Sequence, residues 1–132
     1  MEVTAVIGSE IRTKKRCRHR TILRSPDNFP ELLLESDLVI CAGGTTTYEL
    51  CYLGVPFITI VTADNQRRTA EKLDALGIAK NLGGYSALTP ASIEEAVKGF
   101  AVPKSGRELV DGKGADRVLG AMTSVSRGQS AG

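Results

Sequence analysis

Residues 37–56, which with Ser36 read SDLVICAGGTTTYELCYLGVP, compress a strand, a glycine turn, a helix start and a helix stop into one stretch. Leu38, Val39, Ile40 and Cys41 form a short apolar run of the kind carried by a strand buried on both faces of a parallel sheet. Gly43 and Gly44 break that run, and two residues without Cβ atoms let the backbone turn sharply and let a ligand approach it. Thr45, Thr46 and Thr47 then offer hydroxyls where a helix begins and its first amides lack internal partners. Thr46 and Glu49 stand at the spacing of a capping box, Gly54 is placed to close the helix, and Pro56 prevents its resumption.

A strand, a glycine turn and a helix N-terminus together make an anion site, because unpaired N–H groups and the positive end of the helix dipole converge on one place. The first functional expectation is therefore a bound phosphate. The same residues also suit a tight connection in which the glycines only turn the chain and the threonines only cap. Their spacing is neither that of G-x-G-x-x-G nor that of a P-loop.

The chain has 132 residues, enough for one domain with a core and too few for two. A formal net charge of +2 creates no global demand for nucleic acid or a membrane surface. Cys17, Cys41 and Cys51 are an odd number without metal-ligand spacing, which argues for a reducing cytoplasm and against a metal site. No apolar run approaches the ~20 residues that span a bilayer, and the N-terminus lacks the basic-then-apolar order of a signal peptide. A soluble cytoplasmic protein without cofactor or metal is expected, with membrane contact only through a partner.

In chain order, Val3 to Ile7 reads as a buried strand closed by Gly8, followed by a polar helix over 9–16. That helix ends in Lys14, Lys15, Arg16, Arg18, His19 and Arg20, a cluster suited to a solvated helix C-terminus or to anionic lipid heads or a phosphorylated substrate. His19, the single histidine, is expected to be exposed and neutral there and is a poor general base. Thr21 to Leu23 is a second strand, and Ser25, Pro26, Asp27 and Asn28 turn the chain into a helix capped by Asn28 with Glu31 in capping-box spacing.

After Pro56, residues 57–62 (FITIVT) form a strand, Asp64 is the expected N-cap of a helix over 65–76, and Gly77 stops it. That helix is expected to bury Ala70, Leu73 and Leu76. A weak strand over 78–82, a helix opened by Thr89-Pro90, and a last helix after Asp111-Gly112-Lys113-Gly114 complete the pattern. The domain is expected over 1–123, with 124–132 a disordered tail. Strands alternating with helices predict an α/β fold, a Rossmann-like doubly wound parallel sheet of about five strands. Ligands in such sheets bind beyond the carboxyl ends of the strands, where the turns at 25–28, 43–44 and 64–66 are expected to line one cleft.

At AGGTTTYELCYLGVPFITIVTADNQ, residues 42–66, the chain resembles the C-terminal, nucleotide-binding half of GT-B-type nucleotide-sugar enzymes. It is most similar to the UDP-sugar hydrolases of pseudaminic acid biosynthesis and their relatives in spore coat polysaccharide synthesis. More distantly it resembles the GlcNAc transferases of the lipid stage of peptidoglycan synthesis. The similar region runs over 3–122 and is most specific over 37–66, with DNFPEL at 27–32 and DGKGA at 111–115 as further matches.

The resemblance implies that Gly43, Gly44, Thr45 and Thr46 face a UDP diphosphate. It further implies that Glu49 accepts hydrogen bonds from the ribose hydroxyls, and that Asn65 and Gln66 reach the sugar or its β-phosphate. Leu23 and Arg24 lie where the family holds uracil, partly through backbone groups. Glu49 is also open to a purely capping role, and Asn65 and Gln66 to decorating a helical turn.

Family members carry an N-terminal domain with the acceptor site and the histidine thought to act as base, and a first C-terminal-domain strand with its own glycine-rich loop. The region before Val3 holds neither, so no catalytic residue is assigned. The five strands present are expected to close in the order 2-1-3-4-5. The implied function is UDP-sugar binding in a hydrolase that releases UDP from an amino-sugar nucleotide. The alternatives are a UDP-GlcNAc-type glycosyltransferase subunit that needs a partner domain, and a non-catalytic remnant or interaction module. A UDP-sugar, a separate N-terminal acceptor domain and a second copy of the chain are the expected partners, and nucleic acid is not.

Overall fold

The computed structural model describes residues 1–8 and 20–130. The helix expected over 9–16 and the basic side chains from Lys14 to His19 lie outside the described residues. The chain divides into two compact units, Met1–Glu35 and Ser36–Gly132.

The first unit holds two parallel strands, β1 (Val3–Ile7) and β2 (Arg20–Arg24), in a continuous register from Val3 opposite Arg20 to Ile7 opposite Arg24. The Ser25 amide extends this ladder to the Ile7 carbonyl at 3.1 Å. Ser25 then turns the chain with φ 41°, a left-handed conformation rarely taken by non-glycine residues. Helix α1 (Phe29–Leu34) follows with Pro30 in its first turn, but Asn28 at the N-cap makes no side-chain cap bond, so the expected cap and capping box are not formed. Asn28 has φ −97° and ψ 37°, outside the extended region from which a cap side chain reaches back to the helix amides. Val3 and Val6 are exposed, in contrast to the buried strand expected, because a two-stranded sheet has two edges and no centre.

The second unit is built on a parallel sheet in the order β3 (Val39–Ala42), β4 (Phe57–Val61), β5 (Lys80–Gly84). The α/β class and the parallel pairing agree with the sequence reading, and so do the partial orders 2-1 and 3-4-5. The pairs form one two-stranded sheet, β1-β2, in the first unit and one three-stranded sheet, β3-β4-β5, in the second. The strand buried on both faces is β4, whose Phe57, Ile58, Thr59 and Val61 are all buried, and not β3 as expected. Position in the three-stranded sheet decides this: β4 is its central strand, whereas β3 is an outer strand of it and Ile40 is exposed.

Helix α2 (Thr46–Leu53) connects β3 to β4 and buries Thr47, Leu50 and Cys51. Gly54 closes it at φ 73°, and the amides of Gly54 and Val55 both return to the Leu50 carbonyl, at 2.9 and 3.1 Å. A 3-10 turn over Asp64–Gln66 leads into α3 (Arg67–Ala75), which buries Ala70 and Leu73 and is closed by Gly77 at φ 69°. Leu76, expected in the core, is exposed. Asp64 is not the N-cap: it stands inside the 3-10 turn, and Ala63 before it is extended.

Helix α4 (Pro90–Lys98) opens with a complete capping box, in which Ser92 donates its amide to Thr89 Oγ1 at 3.2 Å and Thr89 donates its amide to Ser92 Oγ at 3.0 Å. Helix α5 (Gly114–Ser130) continues through residues 124–130, where the composition suggests a disordered tail. The hydroxyls of Thr123, Ser124 and Ser126 donate to carbonyls four residues back and are satisfied along the helix.

Candidate functional site

The candidate site gathers where β3 and β4 end. Because the two strands are parallel and in register from Val39 opposite Phe57 to Ala42 opposite Ile60, their carboxyl ends lie side by side. Gly43 prolongs the ladder by donating its amide to the Ile60 carbonyl at 3.2 Å, and the chain then turns into α2. Among the described residues, the amides of Gly44, Thr45 and Thr46 donate to no backbone carbonyl. Three successive free N–H groups at the positive end of an eight-residue helix are the composition of an anion site.

The Gly44 carbonyl is turned away from this role, since it accepts the Thr47 amide at 3.1 Å and the Thr47 hydroxyl at 2.6 Å. Thr47 is fully buried, so its hydroxyl is a fixed strut under the glycine turn. The expected capping box between Thr46 and Glu49 is not formed. The N-cap is Thr45, one residue earlier, and its helical φ of −62° and ψ of −28° make no side-chain cap bond. Glu49 is left exposed, with no hydrogen bond or ion pair among the described residues. Thr45 is exposed and Thr46 half-buried.

Gln66 reaches the glycine turn from the β4 side. A Cβ on Gly43 would stand 3.3 Å from Gln66 Cβ and from the Gln66 carbonyl oxygen, and 3.4 Å from Ala70 Cβ. One on Gly44 would stand 3.8 Å from Gln66 Nε2. The glycines thus admit Gln66 as well as turning the chain. Gln66 Oε1 accepts the Thr62 amide at 3.0 Å and the Thr62 hydroxyl at 2.9 Å, and only an oxygen can accept from a backbone N–H. Nε2 is therefore the atom facing Gly44, with both protons available to an acceptor. Thr62 did not stand out in the sequence; its position four residues before Gln66, at the end of β4, was the available signal.

Asn65 is exposed within the 3-10 turn, beside the ion pair that Asp64 makes with Arg67 at 4.0 Å. Leu23 and Arg24 belong to the first unit, where they end β2 opposite Val6 and Ile7. Tyr48 is half exposed and lines an open groove of about 790 Å³ with Arg68, Lys72 and Leu109. Burial pushes the Cys41 thiol up to about 12, with nearby Cys51 adding to the shift, and burial also raises Cys51. Neither supplies a thiolate nucleophile at neutral pH. Among the described residues no His, Cys, Asp and Glu cluster is arranged to hold a metal ion, and no helix is long and apolar enough to cross a membrane.

The family described as the glycosyltransferase family 28 C-terminal domain matches residues 2–108. The chain belongs to that family. This glycosyltransferase family 28 C-terminal domain, a GT-B C-terminal domain, is 30% identical over 116 residues to the spore coat polysaccharide biosynthesis protein SpsG of Bacillus subtilis. That alignment covers 81% of this chain and 34% of the relative.

Over 61 residues the domain is 43% identical to the UDP-N-acetylglucosamine--N-acetylmuramyl-(pentapeptide) pyrophosphoryl-undecaprenol N-acetylglucosamine transferase of Chromobacterium violaceum. Here 42% of this chain and 17% of the relative are covered. The chain thus spans about a third or less of the length of these relatives. The crystal structure of the glycotransferase of kitacinnamycin has the same fold, with a TM-score of 0.51 at 17% identity, over 74% of this chain and 34% of that one.

Proposed function

We propose that this domain holds a uridine diphosphate amino sugar, with the diphosphate on the free amides of Gly44, Thr45 and Thr46. The observation that carries the reading is that Gln66 Nε2, whose orientation Thr62 fixes, stands beside Gly44, the first of those free amides. A diphosphate accepts from both sources, and Gly44, where a Cβ would meet nothing closer than Gln66 Nε2 at 3.8 Å, leaves room for it. Glu49, uncommitted to capping, accepts from the ribose hydroxyls, and Asn65 reaches toward the sugar. The resemblance to GT-B nucleotide-sugar enzymes and the UDP-N-acetylglucosamine named for one relative support the choice of nucleotide.

The reaction we propose is hydrolysis: water attacks the anomeric carbon and UDP departs. Amides and helix dipole that stabilise the departing diphosphate are this domain's share of catalysis, and the base comes from a separate N-terminal acceptor domain. The resemblance of residues 42–66 to nucleotide-sugar hydrolases is what supports this reading, whereas the transferase relative favours transfer to a second substrate, with the domain acting as one subunit. Chromatography of UDP released from UDP-N-acetylglucosamine and related amino sugars separates the readings. Release without an acceptor supports hydrolysis, and release only when an acceptor-bearing partner is added supports transfer. A cooperatively folded chain that binds no nucleotide is instead a non-catalytic module.

A further inference from the structure

Helix α2 carries the anion site at one end and is gripped at the other. The Arg107 guanidinium donates to the Leu53 carbonyl twice, from Nη2 at 2.7 Å and from Nε at 3.3 Å, in the last turn of the helix. Gly106 is buried against the same turn, where a Cβ would stand 2.7 Å from the Cα, Cβ and Sγ of Cys51. Gly112, at φ 76°, lies against the Tyr52 ring, with a Cβ reaching 3.0 Å from Cε2. Gly54 is itself constrained by this grip: besides its φ of 73°, a Cβ there would stand 2.5 Å from Arg107 Nε. Residues 106–112 are therefore a strap in which Gly106 meets Cys51, Arg107 meets Leu53 and Gly54, and Gly112 meets Tyr52, with Arg107 its one charged hydrogen-bond donor to the helix among the described residues.

We propose that Arg107 is a positioning residue for the diphosphate, acting through α2; the proposal rests on the nucleotide-sugar reading of the other end of the helix. An eight-residue helix is about 12 Å long, short enough that fixing its last carbonyl fixes the aim of its first amides. A cation on the terminal carbonyl also complements the negative end of the dipole, leaving the positive end free to meet the anion. Only an arginine supplies two parallel donors at this position; lysine keeps the charge and loses the fork.

Calorimetric titration of UDP at 15 °C, together with Tm for each protein, tests the proposal. R107M is expected to raise the Kd for UDP about threefold, and R107K is expected to fall between R107M and wild type. A lowered Tm with an unchanged Kd is what a merely structural strap gives, and it overturns the proposal. Should R107M fail to fold, R107K carries the same test: a Kd equal to that of wild type overturns it. Wild type that binds no UDP removes the nucleotide-sugar reading and this proposal together, whereas UDP binding indifferent to both variants removes this proposal alone.

Discussion

Thr62 holds Gln66 by the oxygen of its amide, through a backbone N–H at 3.0 Å and a hydroxyl at 2.9 Å, and thereby fixes Nε2 against Gly44. In Gln66→Glu both bonds from Thr62 survive, because a carboxylate also accepts, while the group facing the glycine turn changes from a donor to an anion. The fold is expected to persist, and the Kd for UDP to rise about 10- to 100-fold, as for loss of a hydrogen bond to a charged group. Calorimetry reads this directly. Thr62→Val removes only the hydroxyl and is expected to have a smaller effect.

Gly43→Ala and Gly44→Ala are expected to separate stability from binding. At Gly43 the new methyl meets Gln66 and Ala70 at 3.3–3.4 Å in a buried site, so the chain must shift at a cost of about 1–3 kcal/mol. At Gly44 the nearest atom is 3.8 Å away, an ordinary contact. Denaturant titration should show a clear loss for Gly43→Ala and little for Gly44→Ala. The methyl at Gly44 nevertheless intrudes where the diphosphate approaches, so UDP affinity is expected to fall in both.

Glu49→Gln tests the ribose role without disturbing the helix. Since the carboxylate makes no cap bond, its neutralisation is expected to change stability by less than about 0.5 kcal/mol. UDP affinity should fall while that for inorganic pyrophosphate does not. Equal weakening of both ligands places Glu49 outside the ribose contact.

The raised thiols give a pH signature with a definite sign. Cys41 is held well above its ordinary value of 9.0, at about 12, so below 9 it is protonated in folded and unfolded chains alike. Between about 9 and 12 the unfolded chain loses the proton and the folded one keeps it, and stability falls as pH rises. Cys51 acts in the same direction. Asp111 acts oppositely: the hydrogen bond from Arg117, then that from the Lys113 amide, lowers it below 3.8, and its contribution disappears as acid protonates it. In a Cys17→Ser background, iodoacetamide at pH 7.5 is expected to label neither remaining thiol until denaturant is added, as mass spectrometry reports.

Features set by a local steric rule were legible in the sequence. Gly54 and Gly77 close their helices in the left-handed conformation their positions suggested, and residues 57–61 form a strand as β-branched composition demanded. What depended on neighbours was not. The Thr46–Glu49 box lost to a turn that placed the N-cap at Thr45 and gave Thr47, not Thr46, the bond to the loop carbonyl. The split into two sheets depends on which strands pair, information that no single apolar run contains. The pairing of Gly43 and Gly44 with Gln66 joins residues more than twenty apart and follows only from the register of β3 against β4.

The account turns on a uridine diphosphate seated at the start of α2. Thermal unfolding in the presence of UDP, ADP and GDP, each at the same concentration, tests it most directly. UDP is expected to raise Tm selectively, by an amount corresponding to about 2.7 kcal/mol at one hundred times its Kd, and Gln66→Glu is expected to abolish the rise. Equal stabilisation by all three nucleotides, or by none, contradicts it.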